Sequence, residues 1–234
     1  MPHAKQANYI HSSPWDHPKK KLSRWITIIE LYRELFKRQK IPDDKQYWSL
    51  CGNHIRDNKP IEGELGYLLK YDFVNRDQYY GIDREKYVIK KNREYYPDIN
   101  WICDDFYEAI KKAIINKYFN AEIINYDGVM QPKNSVHYLK KIMSLLDHNF
   151  EGELMLNSNF VLSNPYNPSM KLRYKIECVL DRLKEIYLMP DHWQLYYESY
   201  IYTHSQANMG ILIFVKERHD INNIQYSKNR KIGN

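Results

Sequence analysis

Short apolar runs alternate with longer helical stretches from residue 46 onward, and this alternation restricts the fold more than any other feature of the chain. The runs fall at 47–51, 79–82, 99–103, 121–126 and 153–157. Between them lie 62–69, 84–95, 106–119 and 135–146, where apolar side chains recur every three or four residues. Leu139, Ile142, Met143 and Leu146 are one such stripe. Strand–helix alternation of this kind builds a parallel sheet with helices on both faces, joined by right-handed crossovers. A longer helix is expected at 170–187, and after it come two runs with no helix between them, 194–202 and 209–215. Their link at 203–208 has hairpin length, so the last pair is expected to be antiparallel.

Charge is distributed unevenly around this core. The chain of 234 residues carries 35 Lys and Arg against 29 Asp and Glu, a net charge of +6. All of that excess sits in the first 40 residues; the remainder is neutral overall. Three segments are therefore expected: a basic arm and helix at 1–42, the folded domain at 43–219, and a polar tail at 220–234. In the first, Leu22, Trp25, Ile28, Ile29, Tyr32, Leu35 and Phe36 form an apolar stripe. Lys19, Lys20, Lys21 and Arg24 fall off it. They are the expected contact for nucleic acid; the alternative is a basic outer face that only keeps the helix soluble.

Several classes are excluded. No apolar run approaches the ~18 residues a membrane helix needs, and the polar start has no apolar leader segment. The three cysteines, Cys51, Cys103 and Cys178, include no CxxC pair, and no HExxH occurs. Neither a disulfide framework nor a metal site is expected, and a reducing, cytoplasmic compartment is.

In open parallel sheets ligands bind beyond the carboxyl ends of the strands. Here those positions hold Gly52, Asp83, Asp104, Asp105 and Asp127. A glycine after the first strand permits close backbone approach. A carboxylate after the second offers two acceptor oxygens to the hydroxyls of a ribose. Aspartate is also a common helix N-cap; for Asp105 capping is the expected role, and for Asp83 capping and ribose binding stand side by side.

With "YWSLCG", "YYGID", "WICDDF", "IINYDG" and the terminal "GILIFVKER", residues 46–217 resemble the class I S-adenosylmethionine-dependent methyltransferases. The resemblance implies a Rossmann-like α/β fold with strand order 3-2-1-4-5-7-6, only the seventh strand antiparallel. It implies S-adenosylmethionine as cofactor, held by Cys51, Gly52, Asp83, Arg84, Asp104, Asp105 and Phe106, with Asp83 at the ribose and Asp104 at the adenine. The chain departs from the family pattern at the first motif, which is normally glycine-rich: Gly52 stands alone, and Gly63 and Gly66 come much later. Asp83 follows Gly52 by 31 residues, where about 20 is usual for a ribose carboxylate after a glycine-rich turn. Residues 53–61 must therefore loop out or cover the site. GxGxxG is absent, which disfavours a dehydrogenase.

The catalytic motifs of several methyltransferase classes are missing. No [DN]PP[YF] tetrapeptide and no Pro-Cys dipeptide occurs. Asp127 and Tyr126 remain as the polar groups nearest the transferred methyl, with His54 and His137 as alternative bases. Three functions stay open: methyl transfer to an acceptor such as nucleic acid, methyl transfer to a small molecule, and a methyltransferase-like domain that binds without reacting.

Overall fold

The two-residue period of a strand divides the interior into two layers. The computed structural model describes residues 27–52, 54–56, 59–60, 63–127, 132–161, 192–204 and 207–218. Along β1 (Gln46–Leu50), Trp48 enters one apolar layer while Tyr47, followed beyond the strand by Cys51, enters the other. Both faces are covered, which explains why the strand is apolar nearly throughout.

The other strands are β2 (Ile55–Arg56), β3 (Lys59–Pro60), β4 (Tyr79–Asp83), β5 (Asn100–Cys103), β6 (Ala121–Tyr126), β7 (Leu154–Val161), β8 (Trp193–His204) and β9 (Ala207–Lys216). Seven of them form one sheet in the order β5-β4-β1-β6-β7-β9-β8. The pairs from β5 through to β7 are parallel, and β9 runs antiparallel to both β7 and β8. Numbered among the seven expected strands, this is the order 3-2-1-4-5-7-6 with the seventh reversed. The chain thus has the fold that the alternation and the resemblance implied.

Helices α1 (Thr27–Phe36), α2 (Glu64–Lys70) and α3 (Lys86–Tyr95) cover one face, where Ile28, Leu68 and Ile89 pack with Tyr47, Tyr79 and Ile123. Helices α4 (Phe106–Ile115) and α5 (Pro132–Asn149) cover the other, where Ile110, Leu139 and Ile142 pack with Trp48, Ile82 and Ile124. Tyr32 fixes α1 in place. Its ring meets Phe73 edge-on at 5.1 Å, and its hydroxyl donates to Glu122 Oε2 at 3.0 Å. Arg38 pairs with the same buried carboxylate, whose pKa burial raises. Other cations of this segment also turn to the protein: Arg33 Nε donates to the Gln39 carbonyl at 3.0 Å, and Lys40 lies 3.6 Å from Asp43. Lys19, Lys20, Lys21 and Arg24, the 170–187 helix and the 220–234 tail lie outside the described residues. Among the described residues no helix is long and apolar enough to cross a membrane.

The structure departs from the sequence expectation in details of several elements, and three of these departures have a clear physical reason. The helix expected at 106–119 stops at Ile115 because Lys117 adopts a left-handed conformation, φ 60°. The Lys117 N–H then bonds to Ile114 O and the Tyr118 N–H to Ala113 O, a helix ending that glycine usually supplies. The fifth strand of the sheet, β7, runs to Val161 because it pairs with β9 along its whole length. The segment after β1 is not simply looped out: Ile55–Arg56 and Lys59–Pro60 form a small antiparallel pair.

Gly81 answers a packing demand. The Trp101 ring lies across it, and a Cβ there would come within 2.3 Å of Trp101 Cζ3. Gly81→Ala should therefore cost about 1–3 kcal/mol, as overpacking does. Urea unfolding checks this, and the cost should shrink in a Trp101→Leu background because the clashing ring is gone.

Candidate functional site at the strand carboxyl ends

Strands β1, β4, β5 and β6 run parallel and deliver their last residues to one end of the sheet. Backbone bonds tie these ends together: Cys51 N–H donates to Ile82 O at 3.0 Å, and Asp104 N–H to Asp83 O at 3.1 Å. Asp83 Oδ1 accepts the Glu85 N–H at 2.8 Å; this bond turns the chain ahead of α3, whose N-cap residue is Glu85 with no side-chain cap, so the expected capping role of Asp83 is not realised. Its half-buried carboxyl has a pKa pushed up, first by burial. Asp105 caps α4, accepting the N–H groups of Tyr107 at 2.9 Å and Glu108 at 3.2 Å. The Tyr138 hydroxyl donates to the same oxygen at 2.7 Å, while Arg84 pairs with the other. Asp104 takes the Asp105 N–H on Oδ1 at 2.9 Å and Lys112 Nζ on Oδ2 at 2.5 Å. Arg84 thus links the ends of β4 and β5, and Lys112 ties the β5 end to α4.

The most deeply held group at this end is one the motif reading missed. Glu64 opens α2, directly after Gly63, and is 1% exposed. It accepts three hydrogen bonds: from the Tyr47 hydroxyl at 2.5 Å, the Ser49 hydroxyl at 2.7 Å and Asn125 Nδ2 at 2.6 Å. Asn157 Nδ2 in turn donates to Asn125 Oδ1. Burial raises the Glu64 pKa, the three donors oppose that rise, and the charge of Asp127 adds to it. A signal for this cluster exists in the sequence. Ser49, Asn125 and Asn157 are polar residues within largely buried strands, and the sheet register places them side by side.

The electrostatics here are acidic. Burial pushes the Cys51 thiol pKa up, and the carboxylates of Asp83 and Glu64 push it further. Glu64, Asp83 and Asp127 therefore all act around the ends of β1, β4 and β6. Among the described residues no three His, Cys, Asp or Glu side chains are grouped so as to hold a metal ion.

Other nominated residues lie elsewhere. Tyr126 and Phe106 are buried in the layer under α4 and α5, their rings 5.6 Å apart, with Tyr126 stacked on Tyr138 at 4.9 Å. Asp127, the next residue, is buried, and its charge acts on Tyr126 as well as on Glu64 and Tyr47. His137 is exposed on α5. His54 is buried, its ring 5.7 Å from that of Trp101 and 6.3 Å from that of Tyr79. Its backbone N–H donates to Asn92 Oδ1 at 2.9 Å, and Asn92 Nδ2 donates to Gly52 O at 3.0 Å. One buried amide on α3 thus clamps the segment that replaces a glycine-rich turn.

No protein-family model matches this chain, and no curated protein matches it at a significant level. Solved structures do. N-methyltransferase NodS from Bradyrhizobium japonicum WM9 is similar with a TM-score of 0.51 at 11% identity, over 87% of this chain and 99% of that one. An O-methyltransferase from Bacillus cereus, in complex with SAH, gives 0.49 at 10% identity, over 81% and 79%. The first of these, with the strand order above, shows the fold: the chain has the Rossmann-like architecture of methyltransferases.

Two stability measurements test the site. Glu64→Ala strands three donors, each costing about 1–3 kcal/mol when buried without a partner, so at least about 3 kcal/mol should be lost; chemical denaturation reads it. Burial pushes His54 down to about 4, whereas an unfolded histidine titrates near 6.5. The unfolded chain therefore binds the extra proton first. Its contribution to stability is complete above about pH 6.5 and falls by about 3 kcal/mol as the pH drops to about 4. His54→Phe should flatten that part of the stability profile.

Proposed function

We propose that this chain is an S-adenosylmethionine-dependent methyltransferase that binds its cofactor across the carboxyl ends of β1, β4 and β5. The observation that carries this reading is the acidic setting of those ends. The Asp83 carboxyl is met by backbone N–H groups of Arg84 and Glu85 and by no side-chain hydrogen bond among the described residues. That half-buried carboxyl fits the hydroxyls of a ribose. The field of Glu64, Asp83 and Asp127 suits a ligand with a cationic sulfonium and ammonium. When bound, the cofactor supplies an electrophilic methyl group.

The chain's own residues have positioning work to do, since in-line alignment of acceptor, methyl and sulfur is the main requirement. Asp83 orients the ribose. Asp104 borders the adenine, with Lys112 as the partner it must share. Cys51 and Gly52, held by Asn92, form the floor under the amino-acid end. In this reading Asp127 takes the proton that the acceptor releases. Tyr126 and Phe106, closed into the other layer, support the strand ends from beneath.

A second reading, a methyltransferase-like domain that binds without reacting, is favoured by one observation. Both Asp104 oxygens and both Asp105 oxygens are engaged within the protein. Titration calorimetry with S-adenosylmethionine separates the two. Methyl transfer requires binding, and Asp83→Ala should weaken it by about 1.5–3 kcal/mol, the range for a hydrogen bond to a charged group. Equal affinity in wild type and variant removes Asp83 from the site; no binding by wild type removes the cofactor and leaves the second reading.

A further inference from the structure

We propose that the outer side of α3, with the groove it forms against the edge strand β5, binds single-stranded nucleic acid. The residues beyond position 40 are neutral as a whole, but their charge is not evenly spread. Helix α3 alone carries Lys86, Lys90, Lys91 and Arg93 against the single carboxylate of Glu94. Lys86, Lys90 and Arg93 follow one another at four- and three-residue spacing, so they form a row along one side of the helix. At 1.5 Å per residue this row is about 10 Å long. The same three cations line a groove of about 500 Å³ together with Glu94, Ile89 and Cys103, and Arg93 also donates to Trp101 O at 3.0 Å. β5 is the outermost strand of the sheet on this side, so among the described residues no further strand closes the groove.

An aromatic plate lies beside the cationic row. Tyr87 is 61% exposed, and Lys91 Nζ sits 5.1 Å from the centre of its ring. Lys91 lies outside the row of three, so the ring and its cation extend the basic side of the helix while leaving Tyr87 largely open to solvent. A basic track with an adjoining aromatic face is the arrangement that binds single strands, the cations following the phosphates and the ring stacking on a base. A duplex keeps the faces of its bases stacked and offers the ring nothing, and an acidic polypeptide would use the lysines but not the plate.

This surface does not depend on the methyl-transfer reading, and its test needs no cofactor. The full chain is titrated into a fluorescein-labelled oligothymidylate of about 20 nucleotides, from 50 to 200 mM salt, with anisotropy as the readout. Binding should weaken with salt, and Lys86→Gln with Lys90→Gln should lower the log–log slope by about 1.4, two single-strand phosphate contacts at about 0.7 each. Tyr87→Ala should weaken binding between about five- and a hundredfold and leave the slope unchanged. Lys111→Gln with Lys141→Gln removes the same charge from exposed positions on α4 and α5 and should change neither quantity. Circular dichroism melting checks that every variant folds. The proposal is overturned if wild type does not bind the oligonucleotide, if the control pair loses as much as the α3 pair, or if Tyr87→Ala binds as wild type. It is also overturned if poly-glutamate displaces the labelled strand as well as unlabelled oligothymidylate does, which would assign the groove to acidic proteins.

Discussion

Glu64 enters the sheet from the first turn of α2 and is met there by donors from two strands, Tyr47 and Ser49 on β1 and Asn125 on β6. Through Asn125 the bonding reaches Asn157 on β7. Three adjacent strands and a helix are thereby fixed at the end where parallel sheets bind ligands. A buried carboxylate is costly unless its oxygens are satisfied. Here the satisfaction comes from polar groups that would themselves be costly if left without partners. The cluster is stable only as a whole, so the position of α2 and the alignment of the strand ends are set together.

That arrangement takes the place of a glycine-rich turn. A glycine-rich turn positions a ligand through bare backbone that approaches it closely. In this chain the segment after β1 is longer, contains the small β2–β3 pair, and is held by side chains: Asn92 from α3 on the outside and Glu64 from α2 within. Among the described glycines none adopts a positive φ, so the special conformational freedom of glycine is not what shapes this end.

The fold was legible because it rests on period and spacing. Short, largely apolar runs of four to six residues separated by helical stripes admit few arrangements, and the hairpin-length link after the sixth strand marks the reversed one. Asp105 was legible too, because a carboxylate immediately before a helix has one common task. Less was visible where the outcome depends on register. Ser49, Asn125 and Asn157 are unremarked polar residues until pairing puts them side by side. The helix end at Lys117 gave no glycine to read. Tyr126 was read as a polar group at the strand end, although its ring lies beneath α4 and α5, stacked on Tyr138. The buried setting of His54 depends on Trp101 and Tyr79, from two other strands, which no local pattern reveals.

The order of the strands also has a kinetic side. β8 and β9 pair across a hairpin, Thr203 with Asn208, only five residues apart. β4 with β5 and β1 with β4 close over 20 and 32 residues, Tyr80 to Asn100 and Tyr47 to Tyr79. β1 with β6 must close over 75, from Gln46 to Ala121. Loop-closure entropy makes that last pairing about 2 kcal/mol more costly to initiate than the hairpin. The middle of the sheet, which is the most buried part of the finished protein, is thus the seam with the greatest entropic cost to close. Glu64 lies across this seam, contributed from within the closing loop, and its carboxylate receives donors from both sides of it.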